Sequence, residues 1–186
     1  NVFSIIGRQL GDGMARKKDK DVLALYSGFS TDIGSAGRSM SLANVSATVA
    51  YAKGNKFGSQ VYIVQHPFAV WDIANTAVTA SATYPVPAGW SADLLGNFFS
   101  GLRPINGVPI FEDGNISIDS DDDAIGVCAD KSALAVLKSV DTRTERQRDA
   151  SLRATEVVIT SDYGVFELDN DKGVALTLDA ATPATS

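Results

Sequence analysis

DTRTERQRDASLRATEVVITSDYGVFELD, residues 141–169, decides how this chain is read. Its first thirteen residues hold seven charges of both signs: Asp141, Arg143, Glu145, Arg146, Arg148, Asp149 and Arg153. Val157, Val158, Ile159, Tyr163, Val165, Phe166 and Leu168 follow, β-branched and aromatic residues that favour an extended strand. A mixed-charge segment feeding one long strand is poor material for an active site. It suits a surface that meets a partner in one register, because charges of both signs reject misaligned contacts.

The rest of the composition points the same way. At 186 residues, 45% apolar and 20% charged, the chain is long enough for one ordinary core. The net charge of −6 argues against nucleic-acid binding over the whole surface, though not against a local basic patch. Cys128 is the sole cysteine and His66 the sole histidine, which excludes an intrachain disulfide, a cysteine-based zinc site and most catalytic triads. No apolar run reaches the ~18 residues of a membrane span, and Asn1–Leu10 lacks the basic start and apolar core of a signal peptide. The missing initiator Met suggests a processed product or a fragment.

Outward from residues 141–169, the spacing predicts the remaining elements. Val2, Phe3, Ile6, Leu10 and Met14, then Val22, Leu25 and Tyr26, fall about a turn apart and predict a helix over Asn1–Tyr26. Gly7, Gly11 and Gly13 weaken it, so tertiary support is required. Arg8, Arg16, Lys17, Lys18 and Lys20 make one side basic, either as a solvated surface or against nucleic acid. Ser27–Met40 reads as a loop, and Ser41 as the cap of a helix over Leu42–Lys53 that stops at Gly54. Gln60–Gln65 is a strand, and Pro67 begins another helix. Thr76–Trp90 reads as an irregular loop, while Asp93–Phe99 fits either a helix or a strand. Asn106-Gly107 and Asp113-Gly114 are turns before strands at Val108–Phe111 and Ile116–Ile118. Ser120–Asp123 is an acidic turn, Ala124–Cys128 a buried strand and Lys131–Ser139 a short helix with Ala133, Leu134 and Leu137 inward. Asn170–Gly173 turns into a return strand, Val174–Leu178, and a frayed tail.

Candidate chemistry is sparse. His66 stands where a strand hands over to a helix, with no sequence neighbour to orient it, so a structural role is expected. Cys128 lies in an apolar run and is expected to be inert. Asp119, Asp121, Asp122 and Asp123 lack the sixth-position glycine and twelfth-position glutamate of a calcium loop. Gly11–Gly13 and Gly34–Gly37 do not follow a strand as a phosphate-binding turn must. The expectation is therefore no enzyme, no metal and no cofactor. A hydrolase using His66, or a soluble binding module, is the rival of another class.

The order of these pieces resembles a known family. A basic-faced helix, a Ser/Gly-rich loop, QVYIVQHPFAVWDI, INGVPIFEDGNI, AIGVCADKSALAVL and RTERQRDASLRATEVVITSDYGVFELDNDKGVALTLD follow one another as in tailed-bacteriophage major capsid proteins of the Hong Kong 97 fold. The match is to the C-terminal two-thirds of the family pattern. The N-terminal arm and extended loop of that pattern have no counterpart here. The resemblance implies an α+β fold with a long spine helix, peripheral β-strands (the P-domain) and a mixed α/β axial domain (the A-domain). Residues 1–39 would be the spine helix and loop, 40–140 the axial domain, and 141–186 the return to the peripheral domain with a C-terminal tail. Arg143–Leu178 would pair its long strands beneath the spine helix.

The resemblance further implies a structural protein of the virion capsid, assembled in the bacterial cytoplasm. Pentamers and hexamers of one chain would form an icosahedral shell around double-stranded DNA, without sequence-specific binding and without a membrane. Scaffolding, portal or decoration proteins could join it. An encapsulin-type compartment shell is the alternative on the same fold. Arg143, Glu145, Arg146, Arg148, Asp149 and Arg153 are the expected inter-subunit residues, against the alternative of a solvated charge ladder.

Overall fold

A computed structural model describes residues 2–78, 104–105 and 107–184. The expected loop at Thr76–Trp90 (beyond Val78), the element at Asp93–Phe99 and Asn106 lie outside the described residues. Helix α1 spans Val2–Leu23 and runs into a 3-10 turn at Ala24–Gly28. Helix α2 spans Leu42–Gly54, strand β1 Val61–Gln65 and helix α3 Pro67–Val78. Strands β2 (Pro104–Ile105), β3 (Val108–Glu112) and β4 (Asp123–Asp130) follow. Strands β5 (Leu134–Asp149) and β6 (Ala154–Glu167) precede a 3-10 turn and β7 (Gly173–Asp179).

Local chemistry sets several boundaries. The Ser41 side chain accepts the Asn44 N–H and starts α2, and Pro67 opens α3 where its missing N–H costs nothing. His66 immediately precedes α3: its carbonyl accepts the Val70 N–H at 3.2 Å and its Nδ1 the Phe68 N–H at 3.2 Å. Strand β1 runs parallel to β3 and antiparallel to β4, and β7 pairs with β4. These make a five-stranded sheet in the order β2-β3-β1-β4-β7.

The alternation along β4 shows how the sheet is buried on both sides. Ala124 and Cys128 face α2 and α3, packed with Val45, Val49, Ile63, Ile73, Val174, Leu176 and Leu178. Val127 and Ala129 face the other way, against Tyr26, Phe29, Ala133 and Ala175. Gly126 lies between them because a Cβ there would strike the Val64 carbonyl and the Gln65 side chain. Residues Thr31–Ile33 run beside β7: the Ala175 N–H donates to the Thr31 carbonyl and the Ile33 N–H to the Ala175 carbonyl, each at 2.9 Å. Asp32 adds bonds from the Thr177 N–H and hydroxyl. This sheet with its two covering layers is the body of the molecule.

Three expectations are corrected here. Residues Lys131–Ser139 are not a helix. From Leu134 onward they begin β5, because thirteen register pairs with β6 outweigh a helical spacing of three apolar residues. The mixed-charge segment is therefore a strand itself, and Asp141–Asp169 is most of a hairpin that turns at Ala150–Arg153. Ile116–Ile118 forms only a single bridge, Ile118 to Ala124. Finally β7 does not join the long strands but returns to the body sheet beside β4.

Candidate assembly surface

Helix α1 and the β5–β6 hairpin form an arm that departs from the body. Among the described residues of α1 none is buried. Gly7, Gly11 and Gly13 would meet nothing within 4 Å if they carried a Cβ, so close packing does not explain them. The hairpin is a separate two-stranded sheet, with register shifts between Lys138 and Val140 and between Val140 and Arg143. An isolated hairpin is marginal in water, and a 22-residue helix with three glycines and no buried side chain is little better.

The two parts of the arm are fastened to each other by polar contacts. The Tyr163 hydroxyl donates to Asp21 Oδ2 at 2.6 Å, and Lys17 pairs with the same carboxylate one helical turn away. Hydrogen bonds from Lys17 and Tyr163 hold the Asp21 carboxyl below its ordinary pKa, and the same carboxylate raises Tyr163. Lys18 donates to Thr142 Oγ1 at 2.8 Å and lies 5.4 Å from the Tyr163 ring centre. Arg146 stands 4.8 Å over the Phe3 ring. The long strand therefore packs against α1, but through charges and ring faces rather than a dry core.

The six expected interface residues divide by position. Arg143 and Glu145 pair with each other at 3.1 Å, both exposed on β5, and Arg143 Nε reaches Thr160 Oγ1 at 3.4 Å. Such a solvated pair contributes roughly 0–1 kcal/mol. Arg146 packs on Phe3, and Arg148 is exposed opposite Thr155. Asp149 builds the turn, since its Oδ1 accepts the Ser151 N–H at 2.8 Å, the Ser151 hydroxyl at 2.6 Å and the Leu152 N–H at 3.2 Å. The Ser151 hydroxyl chiefly, with those amides, lowers its pKa. Arg153 closes the turn at φ 50°.

Sequence reasoning missed the apolar half of this surface. Leu137 is 63% exposed, Phe166 48% and Leu168 64%, while Val2, Phe3, Ile5, Ile6 and Leu10 are exposed along α1. The signal lay in the alternation of β6, which shows its outward side only once β5 is recognised as its partner.

His66 is buried against Phe68, and burial lowers its pKa although Asp113 opposes that shift. Cys128 is fully buried, and burial alone pushes its thiol up to about 12. Asp119 accepts the Asp121 and Asp123 N–H groups, and Asp123 accepts the Gly37 N–H at 2.7 Å, so this acidic run orders a turn. Among the described residues no group of three His, Cys, Asp or Glu could hold a metal ion, and no helix is long and apolar enough to cross a membrane.

The chain aligns with a structure from Mycobacterium phage Che8 at 15% identity and TM-score 0.67, over 92% of this chain and 61% of that one. It has the Hong Kong 97-type capsid fold. The capsid of the cyanophage P-SCSP1u is similar at 12% identity and TM-score 0.68, over 97% of this chain and 67% of that one. A chain of the holo-SrpI encapsulin complex from Synechococcus elongatus is similar at 11% identity and TM-score 0.66, over 96% of this chain and 66% of that one. The chain thus spans about two thirds or less of these subunits. No family model and no curated protein matches the sequence.

Proposed function

We propose that this chain is a shell-forming subunit, a major capsid protein whose copies assemble into the icosahedral head of a tailed bacteriophage around double-stranded DNA. The observation that carries the reading is the arm: a helix without a buried residue beside a hairpin whose first strand is exposed along most of its length. Both are stable only when neighbours cover them. The Hong Kong 97-type fold supports it, since phage capsids share that fold. In this reading the body is the axial domain, the arm the peripheral domain, and no catalytic step is involved. Copies meet as pentamers and hexamers, with Arg143, Glu145, Arg146, Arg148, Asp149 and Arg153 at or beside the contacts.

The full-length protein should form regular particles tens of nanometres across in negative stain. Arg146→Glu and Arg148→Glu should fold as the parent does but assemble poorly. A persistent monomer would sink the shell reading, and normal particles from both variants would remove the arginines from the interface.

The likeness to the encapsulin shell supports a second reading on the same fold, a compartment enclosing a protein cargo. Particles free of nucleic acid and carrying a co-purifying protein would favour that reading over a phage head.

A further inference from the structure

The dipeptide Asp-Gly occurs twice in this chain, as Asp12-Gly13 and as Asp113-Gly114, and the fold treats the two differently. Asp12 and Gly13 lie inside α1, where the helical ladder engages the Gly13 N–H and fixes the backbone on either side. Asp113 and Gly114 stand in the turn just after β3. Asp113 is anchored twice: its N–H donates to the Gln65 carbonyl at 3.1 Å, and its Oδ1 accepts the Asn115 N–H at 2.8 Å. The second bond spans Gly114, so it folds the carboxyl group back toward the Gly114 nitrogen. Among the described residues nothing accepts the Gly114 N–H, and a Cβ there would meet nothing within 4 Å. Gly114 is exposed and carries no side chain to screen its nitrogen. A free amide, a carboxyl group folded over it and open space are the requirements of ring closure.

We propose that Asp113 is a covalent modification site, where the main chain isomerises to isoaspartate through a succinimide closed by Gly114. The Gly114 nitrogen attacks Cγ of the protonated Asp113 carboxyl group. An N–Cγ bond forms, and the amide proton leaves with the carboxyl hydroxyl as water. A water molecule then opens the ring at one of its two carbonyls. Addition at Cγ restores aspartate. Addition at the main-chain carbonyl breaks the original Asp113–Gly114 peptide bond and leaves the chain running through Cβ and Cγ, with a free α-carboxylate. One water leaves and one returns, so mass and oxidation state are unchanged and solvent is the sole co-reactant.

The position gives the product structural consequences. Isoaspartate lengthens the main chain by one methylene where β3 parts from β1, beside the Gln65 carbonyl that holds Asp113 in place. The carboxylate moves to the α-carbon, so the Asn115 N–H loses its acceptor. Asp113 also opposes the burial-driven lowering of the His66 pKa, so the change reaches the residue that leads into α3. The inference does not depend on the shell reading. Within that reading, copies held for long periods in one particle would record its age at this turn.

The test ages the full-length protein for weeks at body temperature in mildly acidic buffer. Electron-transfer fragmentation of the digested protein distinguishes isoaspartate from aspartate residue by residue. Isoaspartate should build up at position 113 about tenfold or more faster than at position 12. In a sample aged in concentrated urea the two positions should react at similar rates, because selection by the fold is lost. Gly114→Val, which shields the nitrogen, and Asp113→Glu, which would need a larger ring, should each slow accumulation in the folded protein to the level at position 12. Absence of isoaspartate at position 113, or equal rates at both positions in the folded protein, would overturn the site. Accumulation that persists undiminished in Gly114→Val would overturn ring closure by Gly114. The readout is the same for monomers and particles, so neither result bears on the shell reading.

Discussion

His66 shows how one side chain can tie local structure to solution conditions. Its Nδ1 accepts the Phe68 N–H, which requires an unprotonated ring, and burial holds its pKa below the ordinary 6.5. Between those two values the unfolded chain binds a proton that the folded chain resists. Stability from this group is therefore complete above pH about 6.5 and falls as the pH drops toward the folded value. His66→Asn keeps a capping acceptor and removes the titration. Its thermal midpoint should fall less than the parent's between pH 8 and 5, with the two converging above pH 7. An identical pH dependence in both proteins would show that His66 does not carry it. His66→Ala, which loses the acceptor, should cost about 0.5–2 kcal/mol even at pH 8.

At the level of elements, legibility followed the core. Helix α2, β1, α3 and β4 were readable because each has a buried side whose periodicity is written in its sequence. Strand β5 was not, because most of it is exposed on both sides and no hydrophobic period marks it as a strand. Its first residues, near the body, mimicked a helical spacing instead. The capping signals at Ser41 and Pro67 survived intact since they depend only on local chemistry. The charges of this segment were visible as a composition, but their division into a turn-builder (Asp149), a strand pair (Arg143 with Glu145) and a ring contact (Arg146) required the register. Helix α1 permits a direct test of its own looseness. Gly11→Ala adds a methyl into open space within a helix, so it should stabilise α1 by up to about 1 kcal/mol and increase far-ultraviolet helicity. A loss of helicity would show that Gly11 has a packing role that the isolated subunit does not reveal.

Across the whole molecule, stability is divided unevenly between body and arm. Amide exchange in the unassembled chain should be slowest in β1, β4 and β7 and much faster in Val2–Leu10 and the outer hairpin. Assembly into particles should slow the arm amides most. Equal protection of arm and body in the free monomer would contradict this division. The strip Thr31–Ile33 laid along β7 has a further consequence for how copies can join. It occupies backbone groups that an incoming strand would need, and at the other margin β2 is two residues long and contains Pro104, which has no N–H to donate. The β7 margin is thereby closed to an incoming strand, and the β2 margin offers only a short edge marked by proline. Among the described residues, long runs of unclaimed backbone donors and acceptors remain on the outer margins of β5 and β6. Strand-to-strand addition, productive or pathological, is thereby steered toward the arm and away from the body.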